Sequence, residues 1–217
     1  MKLGILFSGG KDSTYAVYLA SKEHDVKCLI TINSENLYSY MFHTPAISKV
    51  KVQAEAMKIP LIEVNTKGEK EKELNDLKKA IVEAKKKYKI EGIVTGAVES
   101  VYQASRIQKI CEALGLEVFN PLWQKNQIEL LNELIENKFE VILVAVAAEG
   151  FDTSWLGRKI DKKFVEDVKV LNKKYGINPA GEGGEYESFV LDCPLFKKSL
   201  KIVKSKVNDD RLEVYVE

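Results

Sequence analysis

Residues 3–20 read LGILFSGGKDSTYAVYLA: an apolar run, Leu3–Phe7, short enough for a buried strand, then a turn with two glycines, then a stretch with helical spacing. A loop that leaves a strand and opens a helix aims its backbone N–H groups and the positive end of the helix dipole the same way, so the junction predicts an anion site. Gly9 and Gly10 clear side chains from the path of phosphate oxygens. Lys11 adds a full positive charge, and Ser8 and Ser13 offer hydroxyls, Ser13 also as a helix cap. The spelling departs from the common phosphate loop, G-x-x-x-x-G-K-[ST], because the glycines are adjacent and Asp12 follows the lysine. A carboxylate beside a phosphate calls for Mg2+ or for neighbouring N–H groups, which makes Asp12 the candidate metal ligand.

Strand and helix signals alternate outward from this junction. Val26–Ile32, Leu61–Val64 and Ile93–Thr95 are further short apolar runs separated by helical spacing, which predicts an α/β fold with a parallel sheet and crossover helices. Leu74, Leu77, Ile81, Ala84 and Tyr88 recur at three and four residues and leave a lysine- and glutamate-rich face to solvent. A helix over 100–114 ends at Gly115. Asn120-Pro121 then breaks the pattern and marks a boundary between residues 1–120 and 121–217. Beyond it the sequence predicts a helix around 127–137, an apolar strand over 141–147, a helix around 164–175, the glycine-rich stretch NPAGEGGEYES, and a closing hairpin across Asn208-Asp209-Asp210.

Composition narrows the partners. Lys plus Arg number 33 and Asp plus Glu 32, so net charge gives no ground for stable nucleic-acid binding or for a membrane surface. Cys28, Cys111 and Cys193 form no C-x-x-C pair and read as core residues in a reducing compartment. No run approaches the roughly 20 apolar residues of a membrane span, and the chain opens on a strand rather than a secretory signal. The expectation is a cytoplasmic protein.

FSGGKDS resembles the PP-loop of the ATP pyrophosphatase superfamily, whose members cleave ATP between its α and β phosphates. Four further stretches resemble the diphthine–ammonia ligase branch of that superfamily: SENLYSYMFHT (34–44), TGAVESVYQASRI (95–107), DTSWLGR (152–158) and AGEGGEYESFVLDCPLF (180–196). The resemblance implies a Rossmann-like (HUP-type) sheet, with an ATP-binding domain over 1–120 and a smaller α+β substrate-binding domain over 121–217. It also implies an ATP-dependent amidation: the diphthine carboxylate on elongation factor 2, with ammonium, becomes diphthamide through an acyl adenylate, releasing AMP and pyrophosphate.

Carried onto this chain, the resemblance puts Ser8, Gly9, Gly10, Lys11, Asp12 and Ser13 around ATP and Mg2+, with Asn33 and Ser34 toward adenine. Gly96 lies where such a sheet brings the chain past the ribose. Lys11, Asp12, Glu185 and Glu187 are the candidate catalytic residues, a carboxylate serving as base toward ammonium. Glu182, Gly183 and Gly184 belong with them in a loop for substrate, as do Glu35, His43 and Arg106. The trimethylammonium group of diphthine favours aromatic faces, for which Tyr38, Tyr40, Tyr102, Trp155 and Tyr186 are candidates, with core packing an equal alternative for each. Arg106 is open to an ordinary surface ion pair, and the glycine–glutamate stretch to being a solvated turn. A PP-loop enzyme acting on transfer RNA, an adenylating ligase for a small acid, and a nucleotide sensor are the competing functions. A homodimer is left open.

Overall fold

The structure, a computed structural model, describes residues 1–36 and 49–217. β1 (Lys2–Leu6), β2 (Asp25–Ser34), β3 (Leu61–Thr66), β4 (Gly92–Val94) and β5 (Glu117–Phe119) form a parallel sheet in the order β3-β2-β1-β4-β5. The crossovers are α1 (Lys11–Glu23), α2 (Val50–Met57), α3 (Glu73–Tyr88) and α4 (Val101–Ala113). Helices cover the sheet, so its central strands are apolar throughout rather than alternating; Leu3, Ile5, Leu29 and Ile93 have no exposed surface. Strand order reverses between β1 and β4, and the crevice at such a reversal, outside the carboxyl ends of the strands, is where open α/β sheets bind ligands. This is the Rossmann-like α/β fold that the sequence predicts.

A second, antiparallel sheet follows, with β6 (Glu140–Val146), β7 (Tyr186–Asp192), β8 (Ile202–Asn208) and β9 (Arg211–Val216) in the order β7-β6-β9-β8. α5 (Gln127–Glu136) and α6 (Lys162–Tyr175) pack on one of its faces, where Leu130, Leu134, Phe164 and Val168 meet Val141 and Val190. β5 and β7 go beyond the sequence reading. The first has three residues, and the second starts directly behind the glycine run, so neither shows a full period on its own.

α1 serves both halves. Ala16, Val17 and Ala20 face the parallel sheet beside Leu3, Ile5 and Leu29, while Tyr15 belongs to the cluster built by α5, α6 and the second sheet. The Tyr15 hydroxyl donates to Glu133 Oε2 at 2.7 Å, and the Tyr18 hydroxyl to Asn137 Oδ1 at 2.8 Å. The three cysteines are buried and free, and burial pushes the thiols of Cys28 and Cys111 up to about 12 and that of Cys193 to about 11. Among the described residues no helix is long and apolar enough to cross a membrane.

Phe164 is fully buried in the shared cluster. Phe164→Ala is expected to cost about 3–5 kcal/mol. Because the cluster spans both halves through α1, circular dichroism and tyrosine fluorescence should report one coincident unfolding transition, lower than in the native sequence. Two separated transitions would contradict the shared core.

Candidate active site

β1 delivers the chain to the crevice and α1 carries it away. Gly9, at φ +80°, makes the turn in a conformation that side chains rarely adopt, and a Cβ there would meet Gln53 Oε1 at 2.4 Å. Gly10, rather than Ser13, is the N-cap of α1, and no side chain caps it. The Ser13 hydroxyl instead points back into the loop: Ser8 N–H donates to it at 3.2 Å, it lies 3.1 Å from Ser8 Oγ, and it donates to the Gly10 carbonyl at 3.2 Å. A helix start leaves its first amides without intrahelical acceptors, and of these Lys11 N–H donates to Ser188 Oγ of β7 at 3.1 Å.

Lys11 is 3% exposed. Its ammonium lies 2.7 Å from Asp12 Oδ2 and 5.6 Å from the centre of the Tyr186 ring. Asp12 Oδ1 is buried and has no hydrogen-bond partner, an acceptor left unpaired on the carboxylate that holds the ammonium. Gly96, just past β4, closes the other side: a Cβ there would stand 2.7 Å from Ser13 N and 2.8 Å from the Asp12 carbonyl carbon. The chain thus passes directly against the start of α1, on the far side of the strand-order reversal.

At the ends of β2 and β3, Asn33 Nδ2 donates to Asn65 Oδ1 at 3.2 Å, while Asn33 Oδ1 is buried without a partner. Ser34 Oγ accepts from Asn36 N–H at 3.1 Å. Glu35 lines a cavity of about 360 Å³ with Asn65, Thr66, Lys67, Glu69, Lys72 and Asp76.

The glycine–glutamate loop sits across the crevice from Lys11, and its carboxylates have different surroundings. Glu182 accepts from the Glu99 backbone N–H; burial, and then the charge of Asp12, pushes its carboxyl up to about 7 against the pull of Lys11. Glu185 is buried and turned into its own loop, where it accepts from Asn178 N–H, Asn178 Nδ2 and Gly183 N–H, each at 2.8 Å. Gln127 fixes the base of the loop, accepting from Ala180 N–H at 2.9 Å and donating to Glu99 Oε1 and Asn178 Oδ1, each at 3.3 Å. Glu187 is on β7, and successive side chains of a strand face opposite ways. Tyr186 and Val190 belong to the cluster shared with α1, and Phe189 and Leu191 to the opposite one. Glu187 therefore faces away from Lys11, where burial raises its carboxyl to about 7 despite Arg211.

The remaining candidates lie apart. Tyr102 and Arg106 both bond to Glu71, with the guanidinium 3.5 Å above the Tyr102 ring, and Arg106 forms a surface ion pair there. Trp155 packs on Phe151 and Phe164, and its ring carries the Arg158 guanidinium at 4.3 Å. Tyr186 is buried behind Lys11 and donates its hydroxyl to the Pro179 carbonyl at 2.9 Å. Tyr38, Tyr40 and His43 lie outside the described residues. Gln53, Glu99, Gln127 and Ser188 also hold the site together, and no motif in the sequence marks them. Only Gln53 carries a signal there, a polar residue on the buried face formed by Val50, Ala54 and Met57.

A buried cation at a helix start, an open carboxylate oxygen beside it and a second carboxyl poised near neutrality can hold an anion and move a proton. The family model described as diphthamide synthase N-terminal domain matches residues 1–118, and that described as diphthamide synthase C-terminal domain matches residues 126–216. A diphthine–ammonia ligase of Homo sapiens is 37% identical over 228 residues, covering 95% of this chain and 85% of that protein. The protein of the same name from Bos taurus is 36% identical over 227 residues, with the same shares covered. A solved structure described as a predicted subunit of tRNA methyltransferase from Methanocaldococcus jannaschii covers 92% of this chain and 100% of its own, at 18% identity and a TM-score of 0.47.

The raised carboxyl of Glu182 has a consequence for stability. A group whose folded value is raised from 4.5 to about 7 favours the fold while protonated and opposes it once ionised, so its contribution is lost as pH rises through about 7. Glu182→Gln removes that cost. Its melting temperature should exceed that of the native sequence at pH 8, and the difference should vanish by about pH 3, where the carboxyl is neutral in the folded and the unfolded chain alike. A difference that persists unchanged at low pH would refute the buried-carboxyl assignment.

Proposed function

The chain belongs to the diphthamide synthase family, and on that premise we propose that it joins ammonium to the diphthine carboxylate of elongation factor 2 at the expense of ATP. The observation that carries this reading is the buried Lys11–Asp12 pair at the start of α1, with Glu182 facing it across the strand-order reversal.

A carboxylate is a poor electrophile, so the acid is first activated. One carboxylate oxygen of diphthine attacks the α phosphorus of ATP, the bond to the bridging oxygen breaks, and pyrophosphate leaves. Lys11, the amides of the Ser8–Ser13 loop and the dipole of α1 stabilise the charge on the departing group. Ammonia then attacks the acyl carbon of the adenylate, and AMP leaves with the former carboxylate oxygen. Ammonium must give up a proton before its nitrogen becomes a nucleophile. We assign that proton to Glu182, whose carboxyl is raised to about 7 and faces the loop. Glu185, holding three N–H donors, fixes the loop that presents Glu182.

Asn33 Oδ1, buried without a partner, is an acceptor suited to the exocyclic amine of adenine, and the ribose is assigned to the chain at Gly96, which passes against the start of α1. Mg2+ fits here as a partner of the triphosphate. Among the described residues no three His, Cys, Asp or Glu gather into a self-contained metal site, whereas Asp12 Oδ1 is an open carboxylate oxygen beside the loop. Such an ion is bound through one or two carboxylates plus phosphate oxygens, and when bound it neutralises charge on the phosphates.

Incubation of the pure protein with ATP, Mg2+, ammonium and diphthine-bearing elongation factor 2 should convert a carboxylate to an amide by mass, with stoichiometric AMP. Lys11→Ala should abolish both products with the fold intact. Glu182→Gln should bind ATP nearly as the native sequence does but lower amide formation about 10²–10⁴-fold, the scale of a lost proton acceptor. AMP that appears only when transfer RNA is supplied instead would refute the reading.

A further inference from the structure

The second sheet touches the phosphate loop through the edge of β7. Lys11 N–H donates to Ser188 Oγ at 3.1 Å, and Val190 N–H donates to the Gly9 carbonyl at 3.3 Å. Gln53 of α2 stands between them. Its Nε2 donates to the Gly9 carbonyl at 3.0 Å and to the Val190 carbonyl at 2.8 Å. The side chain has no exposed surface, and its Oε1 is buried without a partner.

Three physical points bear on this contact. A primary amide nitrogen carries two N–H groups, so one side chain can hold a carbonyl from the loop and a carbonyl from β7 together; methionine, of similar shape, can hold neither. A buried polar atom left unsatisfied is costly, and here Oε1 bears that cost so that Nε2 can make both bonds. The Lys11 amide is one of those a helix start offers to an anion, yet a neutral hydroxyl from β7 occupies it.

We infer that Gln53 and Ser188 are positioning residues that couple the filling of the phosphate loop to the setting of the 181–187 loop. A phosphate oxygen arriving at the Lys11 amide takes the place of Ser188 Oγ and in turn accepts from the freed Ser188 O–H, which ties β7 to the nucleotide, while Gln53 keeps β7 against the loop during the exchange. β7 begins at Tyr186, next to Glu185, so any movement of the strand is passed directly to the segment that presents Glu182. The inference builds on the proposed ligase reaction, but the contact itself is tested by nucleotide alone.

The test compares the native sequence with Gln53→Met, Ser188→Ala and Ser188→Thr by hydrogen exchange, with and without α,β-methylene ATP. In the native sequence the analogue should slow exchange both at 9–13 and at 181–187. Gln53→Met and Ser188→Ala should bind the analogue within about threefold and retain protection at 9–13, but lose it at 181–187; Ser188→Thr, which keeps the hydroxyl, should retain both. Where amide is formed, the yield of amide per AMP should fall at least fivefold in the first two variants, as activated acid is lost to water. Protection at 181–187 that survives in Ser188→Ala would overturn the inference, whether or not Gln53→Met folds. Loss of analogue binding in both variants would also overturn it, since the residues would then serve the nucleotide itself. A native protein that forms no amide yet shows the coupled protection would sink the ligase reading and leave the coupling standing.

Discussion

An ammonium group removed from water has to be paired, and the structure is arranged around that requirement at Lys11. With 3% of its surface exposed, this side chain is held by Asp12 at 2.7 Å and backed by the Tyr186 ring. Such a pair cannot sit at an arbitrary place in the fold. For the anion binding proposed, it needs a helix start, so that free amides share the charge, and a crevice, so that the anion can enter. The reversal of strand order between β1 and β4 supplies the crevice. Gly9 and Gly96 supply the clearance, one by its backbone conformation and the other by letting the chain pass within van der Waals contact of Ser13 and Asp12.

Burial of Lys11 also explains why the second sheet is part of the site rather than an attachment. A parallel sheet and its crossovers leave the mouth of the crevice open. Here β7 and the loop before it form the missing wall, and the wall is held from two sides. Tyr15 and Tyr18 tie α1 to α5 through Glu133 and Asn137, and Ser188 and Gln53 tie the loop to β7. Desolvation of the lysine and assembly of the two halves are one event, because neither half alone encloses the charge.

The elements that carry a period of their own were legible in the sequence. The strand–loop–helix junction, the parallel sheet, the amphipathic α3 and the closing hairpin all come from spacing and turn chemistry confined to a few adjacent residues. The glycine–glutamate stretch was legible as a loop of interest, but not as a division of labour. Glu182, Glu185 and Glu187 are alike in type and lie within six residues; their directions depend on which backbone amides the loop turns inward and on which face of β7 each residue falls. Those are long-range facts. The same holds for Gln53, whose bonds reach 44 and 137 residues away along the chain. Tyr102, Arg106 and Trp155, in family-like stretches, are taken up by ion pairs and ring contacts instead: Tyr102 and Arg106 meet at Glu71, a partner more than thirty residues away, and Trp155 carries Arg158.

The separation of the three glutamates bears on how one site could run a reaction that needs a stable cation, an ionised ligand and a proton acceptor together. Two carboxylates near one another resist simultaneous ionisation unless a cation intervenes. Asp12 has that cation at 2.7 Å. Glu182 has it only at longer range, and burial and the charge of Asp12 raise its carboxyl to about 7. Environments that differ in this way suit like groups to different tasks: in the proposed reaction Asp12 faces metal and phosphate, and Glu182 takes up and releases the proton. Glu185 is removed from the competition by three N–H donors, without which a third charge would crowd the same space. The loop's shape and the chemistry proposed for it are therefore set by the same hydrogen bonds.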